Sequence, residues 1–121
     1  MHIALTGTPG TGKTTVAGLL PWPVVDVNAL VREGLHLGVD PERGCLEADM
    51  VALAARIEEL PGEETTVLEG HFSHHFAPRA VVLRLHPREL RVRLAARGYS
   101  QEKIRENLEA EALDVVLVEA V

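Results

Sequence analysis

Eight consecutive residues, Gly7-Thr8-Pro9-Gly10-Thr11-Gly12-Lys13-Thr14, set three glycines, a lysine and a hydroxyl at a spacing that suits a polyphosphate. Glycines at 7, 10 and 12 let the backbone turn with no Cβ in the way, so that successive N–H groups point at an anion. Lys13 is placed to reach the outermost phosphates. Thr14 offers its hydroxyl to Mg²⁺, a hard cation whose other ligands are waters and phosphate oxygens. Gly10, Thr11, Gly12, Lys13, Thr14 and Thr15 are therefore the candidate nucleotide-binding residues.

Other groups could complete such a site. Glu69 ends an apolar stretch, where open α/β sheets gather ligands, and its carboxylate could hold the hydration shell of Mg²⁺. His71 follows closely and could orient an attacking group or the waters of the metal. His71, His74 and His75 invite a metal-site reading, but zinc takes three or four ligands, and the side chains of adjacent His74 and His75 diverge if the segment is extended. A polar loop is the expectation there. Arg93 and Arg97 share one face of a helix and can converge on one ligand. They lie in an arginine-rich stretch with Arg79, Arg84, Arg88 and Arg91, whose guanidinium forks suit a multiply charged anion. Arg32, an isolated charge, reads as solvated on its own.

The elements that must position these groups are legible as alternating patterns. His2 to Thr6 reads as a buried strand, and Lys13 to Leu20 as a helix carrying Val16, Ala17, Leu19 and Leu20. Pro21-Trp22-Pro23 breaks the pattern, and Val24 to Val27 follows as a second strand. Asn28 is expected to cap a helix with Leu30, Val31 and Leu35. A loop with Gly38, Asp40, Pro41 and Gly44 then leads to a helix over Cys45 to Leu60, closed by Pro61-Gly62. Thr65 to Glu69 and Ala80 to Leu85 are the third and fourth strands. Pro87 opens a helix that Gly98 stops, and Ser100 caps a last one with Ile104, Leu108, Ala112, Val115 and Val116 on its buried face. Apolar strands alternating with helices imply right-handed crossovers and a parallel sheet.

Composition bounds the rest. A chain of 121 residues is one domain, able to bury about 65% of its unfolded surface. Phe72, Phe76, Trp22 and Tyr99 are its only aromatics, so aliphatic side chains must build the interior. A net charge of −6 disfavours an electrostatically driven nucleic-acid binder. Cys45 is single, which excludes an internal disulfide and suits a reducing compartment. With no signal-peptide pattern and no apolar run of membrane-spanning length, a cytoplasmic protein is expected, away from any membrane.

On these residues the chain resembles the nucleoside monophosphate kinases, above all the small archaeal and nuclear type of adenylate kinase. The likeness runs from Met1 to about Glu119. It rests on the loop of residues 7 to 14, on Leu68-Glu69-Gly70-His71, and on Arg93-Leu94-Ala95-Ala96-Arg97-Gly98-Tyr99-Ser100 with Lys103-Ile104-Arg105-Glu106-Asn107-Leu108. The resemblance implies a three-layer α/β fold of the P-loop NTPase type, with a parallel sheet of about four strands and helices on both faces. Residues 28–60 become the region for the acceptor monophosphate and 98–107 a short lid. It also implies ATP and Mg²⁺ as cofactors, AMP as acceptor, and some ATPase activity. Lys13, Arg97, His71 and Arg32 become catalytic residues, with Arg32 on the acceptor phosphate and Arg97 on the transferred one. Arg93 packs over the ATP base, while Thr14 and Glu69 serve the metal. The alternative that the family suggests is an ATP-dependent assembly factor for the small ribosomal subunit, with a small-subunit ribosomal protein as partner. Members of the family also continue into a fifth strand after the last helix, which this sequence lacks.

Overall fold

A computed structural model describes residues 1–40, 45–60 and 64–121. In chain order the elements are β1 (His2–Gly7), α1 (Lys13–Ala17), β2 (Val24–Asp26), α2 (Val27–Arg32), β3 (His36–Asp40), β4 (Cys45–Ala48) and α3 (Met50–Glu58). They continue with β5 (Thr66–Glu69), a 3-10 turn (Ser73–His75), β6 (Arg79–Leu83), α4 (Pro87–Ala96), α5 (Gln101–Ala112) and α6 (Val115–Ala120). Strands β2, β5, β1 and β6 form, in that spatial order, a four-stranded parallel sheet. This is the α/β architecture the alternation implies.

Neighbouring residues of a strand face opposite sides, and the register sets Ala4 beside Leu68 and Leu5 beside Glu69. On one side Leu68 packs with Val27 and Val31 of α2 and Leu53 and Ile57 of α3. On the other, Leu5 and Val67 meet Ala17 of α1. The fully buried Leu53, Leu68, Leu90 and Leu94 each contribute about 1.5–3 kcal/mol through burial. Strands β1 and β5 thus end side by side, delivering the loop after β1 and Glu69 of β5 to one end of the sheet.

Two glycines of the loop are required by space as well as by backbone. A Cβ on Gly7 (φ 150°) would lie 2.7 Å from the Leu83 carbonyl oxygen, the backbone of the neighbouring strand. On Gly10 (φ 93°) it would meet Leu90 at 2.9 Å and Leu94 at 3.0 Å, so the loop rests directly on α4. Strain at positive φ and overpacking together predict that Gly10→Ala destabilises the protein by about 2 kcal/mol or more. That corresponds to a fall of roughly 8 °C in thermal midpoint. An unchanged melting curve would show that α4 is not seated on the loop.

Several element boundaries differ from the sequence expectation, each for a physical reason. The segment from Cys45 is not the start of a helix: Cys45–Ala48 pairs antiparallel with His36–Asp40, a hairpin the spacing did not reveal. The helix begins at Met50 because the Asp49 carboxylate accepts from the Ala52 N–H at 3.0 Å, and a capping residue needs extended backbone before it. In the same way Asp26, not Asn28, caps α2 by accepting from Ala29 N–H at 3.1 Å, which draws Val27 from the expected strand into the helix. The fourth strand is shifted to Arg79–Leu83. The last helix is broken, since Asp114 adopts a left-handed φ of 58° and separates α5 from α6. Ser100, Pro87 and Gly98 do sit at the helix boundaries assigned to them. The expected turn residues Pro41 and Gly44, and the stop at Pro61-Gly62, lie outside the described residues.

Candidate active site

The loop after β1 is shaped by its own hydrogen bonds. The Thr11 N–H and hydroxyl both donate to the Thr8 carbonyl, at 3.3 and 2.8 Å, and Gly12 (φ 99°) leads into α1. Lys13, 8% exposed, folds back across the loop, and its Nζ donates to the carbonyls of Gly7 and Thr8, each at 3.0 Å. The ammonium is thereby held against the loop by two backbone carbonyls. Next to it the Thr14 hydroxyl donates to Glu69 Oε1 at 3.1 Å, joining α1 to the end of β5.

The turn after β5 is also anchored. The Ser73 hydroxyl donates to the carbonyls of Gly70 (2.9 Å) and Leu5 (3.2 Å), while the Gly70 N–H donates to the Leu5 carbonyl at 3.1 Å. His71 is held edge-on to Phe72, with ring centroids 4.8 Å apart. A cavity of about 160 Å³ is lined by Gly10, Gly12, Lys13, Thr14, Glu69, His71 and Arg97, with Pro9, Asn28 and Tyr99. A larger groove of about 860 Å³ lies between α4 and α5, lined by Arg91, Ile104, Arg105 and Leu108 among others. Size does not make it the site: the amide-rich loop, Lys13 and the Thr14–Glu69 pair all face the smaller one.

Electrostatics distinguish the two titratable groups nearest the loop. Burial pushes the Lys13 ammonium down to about 8; Glu69 opposes the shift and Arg97 adds to it. His71 is pushed down to about 4, chiefly by burial, then by Lys13 and His74. It is therefore neutral at physiological pH.

Of the residues singled out in the sequence, Lys13, Thr14, Glu69, His71 and Arg97 converge on one cavity together with Gly10 and Gly12. Arg93 stands beside the loop, its Nη1 within 3.5 Å of where a Cβ on Gly12 would be. Thr11 is buried within the loop, whereas Thr15 is exposed and does not line the cavity. Arg32 is not brought in either: its side chain is 64% exposed and its Nη2 is 3.7 Å from Asp26 Oδ2. Arg84 is not part of an anion site, because its guanidinium is bound to the carboxylates of Glu111 and Asp114. Asn28 and Tyr99 line the cavity although their chemistry was not singled out. The position of Asn28 just past the carboxyl end of β2 was the available signal. Nothing in the local pattern marked Glu111, which is 2% exposed and pairs with Arg84 across 27 positions of chain.

Residues 3–114 match the model of a family described as an AAA domain. A Methanosarcina barkeri protein named "Putative adenylate kinase" is 50% identical over 128 residues, covering 99% of this chain and 70% of that protein. The chain belongs to the P-loop nucleoside monophosphate kinases. Among these kinases, a like-named protein of Methanothermobacter thermautotrophicus is 51% identical over 124 residues, covering 98% of this chain and 71% of its own length. The fold is shared more widely. A shikimate kinase from Bacteroides thetaiotaomicron superposes with a TM-score of 0.56 at 22% identity, over 99% of this chain and 77% of that one. The Thermus thermophilus protein TT1252 does so with a TM-score of 0.53 at 23% identity, over 100% and 98%. The P-loop kinase relatives support a phosphotransferase that takes a nucleoside triphosphate. Among the described residues, no helix is long and apolar enough to cross a membrane.

Proposed function

We propose that this kinase catalyses ATP + AMP = 2 ADP. The observation that carries the reading is the convergence of Lys13, Thr14, Glu69, His71 and Arg97 on one cavity beside an amide-lined loop, in a chain whose relatives bear the name adenylate kinase. In the transfer an ionised oxygen of the AMP phosphate bonds to the γ-phosphorus of ATP, and the bond to the β-γ bridging oxygen breaks. No side-chain nucleophile is needed, so catalysis is in-line positioning and charge neutralisation. The loop amides and Lys13 take the phosphate chain. Arg97 counters charge on the transferred group, and Arg93 packs over the base. Arg32 takes the acceptor phosphate after leaving Asp26, with residues 28–60 as the acceptor region.

The Thr14 hydroxyl and Glu69 carboxylate, 3.1 Å apart at the mouth of the loop, fit a hard, hydrated cation. These two residues would hold Mg²⁺, which would supply neutralisation of the phosphate charge. Neutral His71, beside them, accepts a hydrogen bond from a water and orients it.

Exclusion of water is the weak part of the design. Residues 98–107 serve as the lid, but only Arg97-Gly98-Tyr99-Ser100 separates α4 from α5, and Ser100 already caps the latter through Lys103 N–H at 3.2 Å. A four-residue connection covers little, so ATP hydrolysis without acceptor is expected alongside transfer. Brisk AMP phosphorylation with undetectable acceptor-free ATP turnover would overturn that expectation. The deciding assay compares ATP turnover with AMP, CMP, UMP, GMP and no acceptor; stimulation by AMP above the other monophosphates supports the proposal, and equal rates in all five refute it. The short lid also suits a second reading, an ATP switch in small-subunit ribosome assembly. For that reading the measurement is binding of a small-subunit ribosomal protein that changes with nucleotide state.

A further inference from the structure

The turn after β5 brings together three side chains the phosphate site does not use. His74 lies under α6, its Nε2 3.1 Å from Glu119 Oε1, and its neighbour His75 does not diverge from it as extended backbone would require. On the 3-10 turn the two rings face one another with centroids 4.2 Å apart. One ligand atom from each of His74, His75 and Glu119 falls within 4.8 Å of the other two. We propose that His74, His75 and Glu119 form a binding site for a divalent transition cation of the zinc type, distinct from the magnesium position, which clamps α6 to the turn that follows His71.

The donor set is chemically apt. Two imidazoles and one carboxylate, with water as fourth ligand, make a common zinc combination, whereas Mg²⁺ prefers oxygen alone. Tetrahedral bonds of about 2.0–2.1 Å set neighbouring ligand atoms roughly 3.3 Å apart. The His74–Glu119 pair is already at 3.1 Å. His75 and Glu119 are exposed and free to close the remaining gap.

The supporting contact is also in place. His74, with 1% of its side chain exposed, has its other nitrogen, Nδ1, 2.9 Å from the buried Thr6 hydroxyl. A ligating imidazole needs a partner for its second N–H. A hydroxyl can accept that proton when Nε2 holds a cation, or donate to Nδ1 when Nε2–H bonds Glu119. Thr6 on β1 thus serves both forms without rearrangement.

The test is Co²⁺ titration followed by visible absorption, and Zn²⁺ competition, without nucleotide and with excess Mg²⁺ to occupy the Thr14–Glu69 position. The expected result is one cation per chain, with a dissociation constant below about 10 µM and a Zn²⁺-induced rise of roughly 5 °C or more in thermal midpoint. His75→Gln and Glu119→Gln, both at exposed positions, are each expected to weaken binding by about 10-fold or more and to abolish the thermal shift. His86→Gln is the control and leaves both unchanged. Binding weaker than about 100 µM, or of equal strength in the two ligand variants, overturns the site.

Discussion

Lys13→Ala is expected to lower phosphoryl-transfer turnover by about 100-fold or more, the loss typical of removing one preorganised charge from a transition state. Lys13 is 8% exposed, and its ammonium is held in the loop by the Gly7 and Thr8 carbonyls. A steady-state assay with ATP and AMP reads the loss directly, and a near-normal rate would make the loop decorative. The same residue sets a pH dependence. With its ammonium depressed to about 8 in the free protein, chiefly by burial, binding of a polyphosphate must restore the proton. ATP affinity is therefore expected to fall by up to about tenfold per pH unit above 8, with proton uptake on binding visible by calorimetry in buffers of different ionisation enthalpy. The sign for stability is opposite. Between about 8 and 10.5 the unfolded chain holds this proton more tightly than the folded one, so the free protein gains stability as pH rises through that window. An ATP affinity flat from pH 7 to about 9.5 would show that Lys13 does not titrate there.

Arg97→Ala comes second, with an expected loss of about 100-fold in kcat and a smaller change in KM for ATP. The distinction follows from position. Arg97 stands at the C-terminal end of α4 and lines the same cavity as Lys13, Thr14 and Glu69, where it can meet charge that develops during transfer. Arg97→Lys keeps the charge but loses the planar fork, and is expected to recover only part of the rate. A variant that raises KM alone, with kcat intact, would assign Arg97 to ground-state binding of the triphosphate.

The phosphate loop was legible because its information is local. Three glycines, a lysine and a threonine in eight positions can be recognised without knowing what surrounds them, and the flanking strand and helix patterns lie within a few residues. The Arg93 and Arg97 pair was legible for the same reason, since their four-residue spacing falls in the last turn of one helix and its cap. The β3–β4 hairpin was not. Cys45 to Ala48 carries no alternation that separates a short strand from the first turn of the helix after it, and antiparallel pairing with His36–Asp40 decided the matter. The Asn28 cap was misassigned by two residues because a side chain two positions earlier, Asp26, reached Ala29 first.

Distance along the chain explains what stayed hidden. The break at Asp114 depends on Arg84, whose guanidinium takes the Glu111 carbonyl at 3.0 Å as well as the two carboxylates. Hydrophobic periodicity cannot register a single residue turning to positive φ. The pairing of His74 with Glu119 spans 45 positions, and with His75 beside them it groups three side chains that the sequence left in an expected polar loop and a distant helix.

By itself, then, the sequence determined that residues 7 to 14 form a glycine-rich loop between a strand and a helix and that an alternating α/β chain presents it at the carboxyl ends of parallel strands. Only the tertiary structure decided which charges meet. Glu69 joins Thr14, Arg84 is given to Glu111 rather than to an anion, Arg32 is left with Asp26, and the two histidines converge under α6. The reason is that backbone geometry and short-range spacing are encoded where they act, whereas the partner of a charged side chain is chosen by sheet order and helix docking, which no local stretch contains.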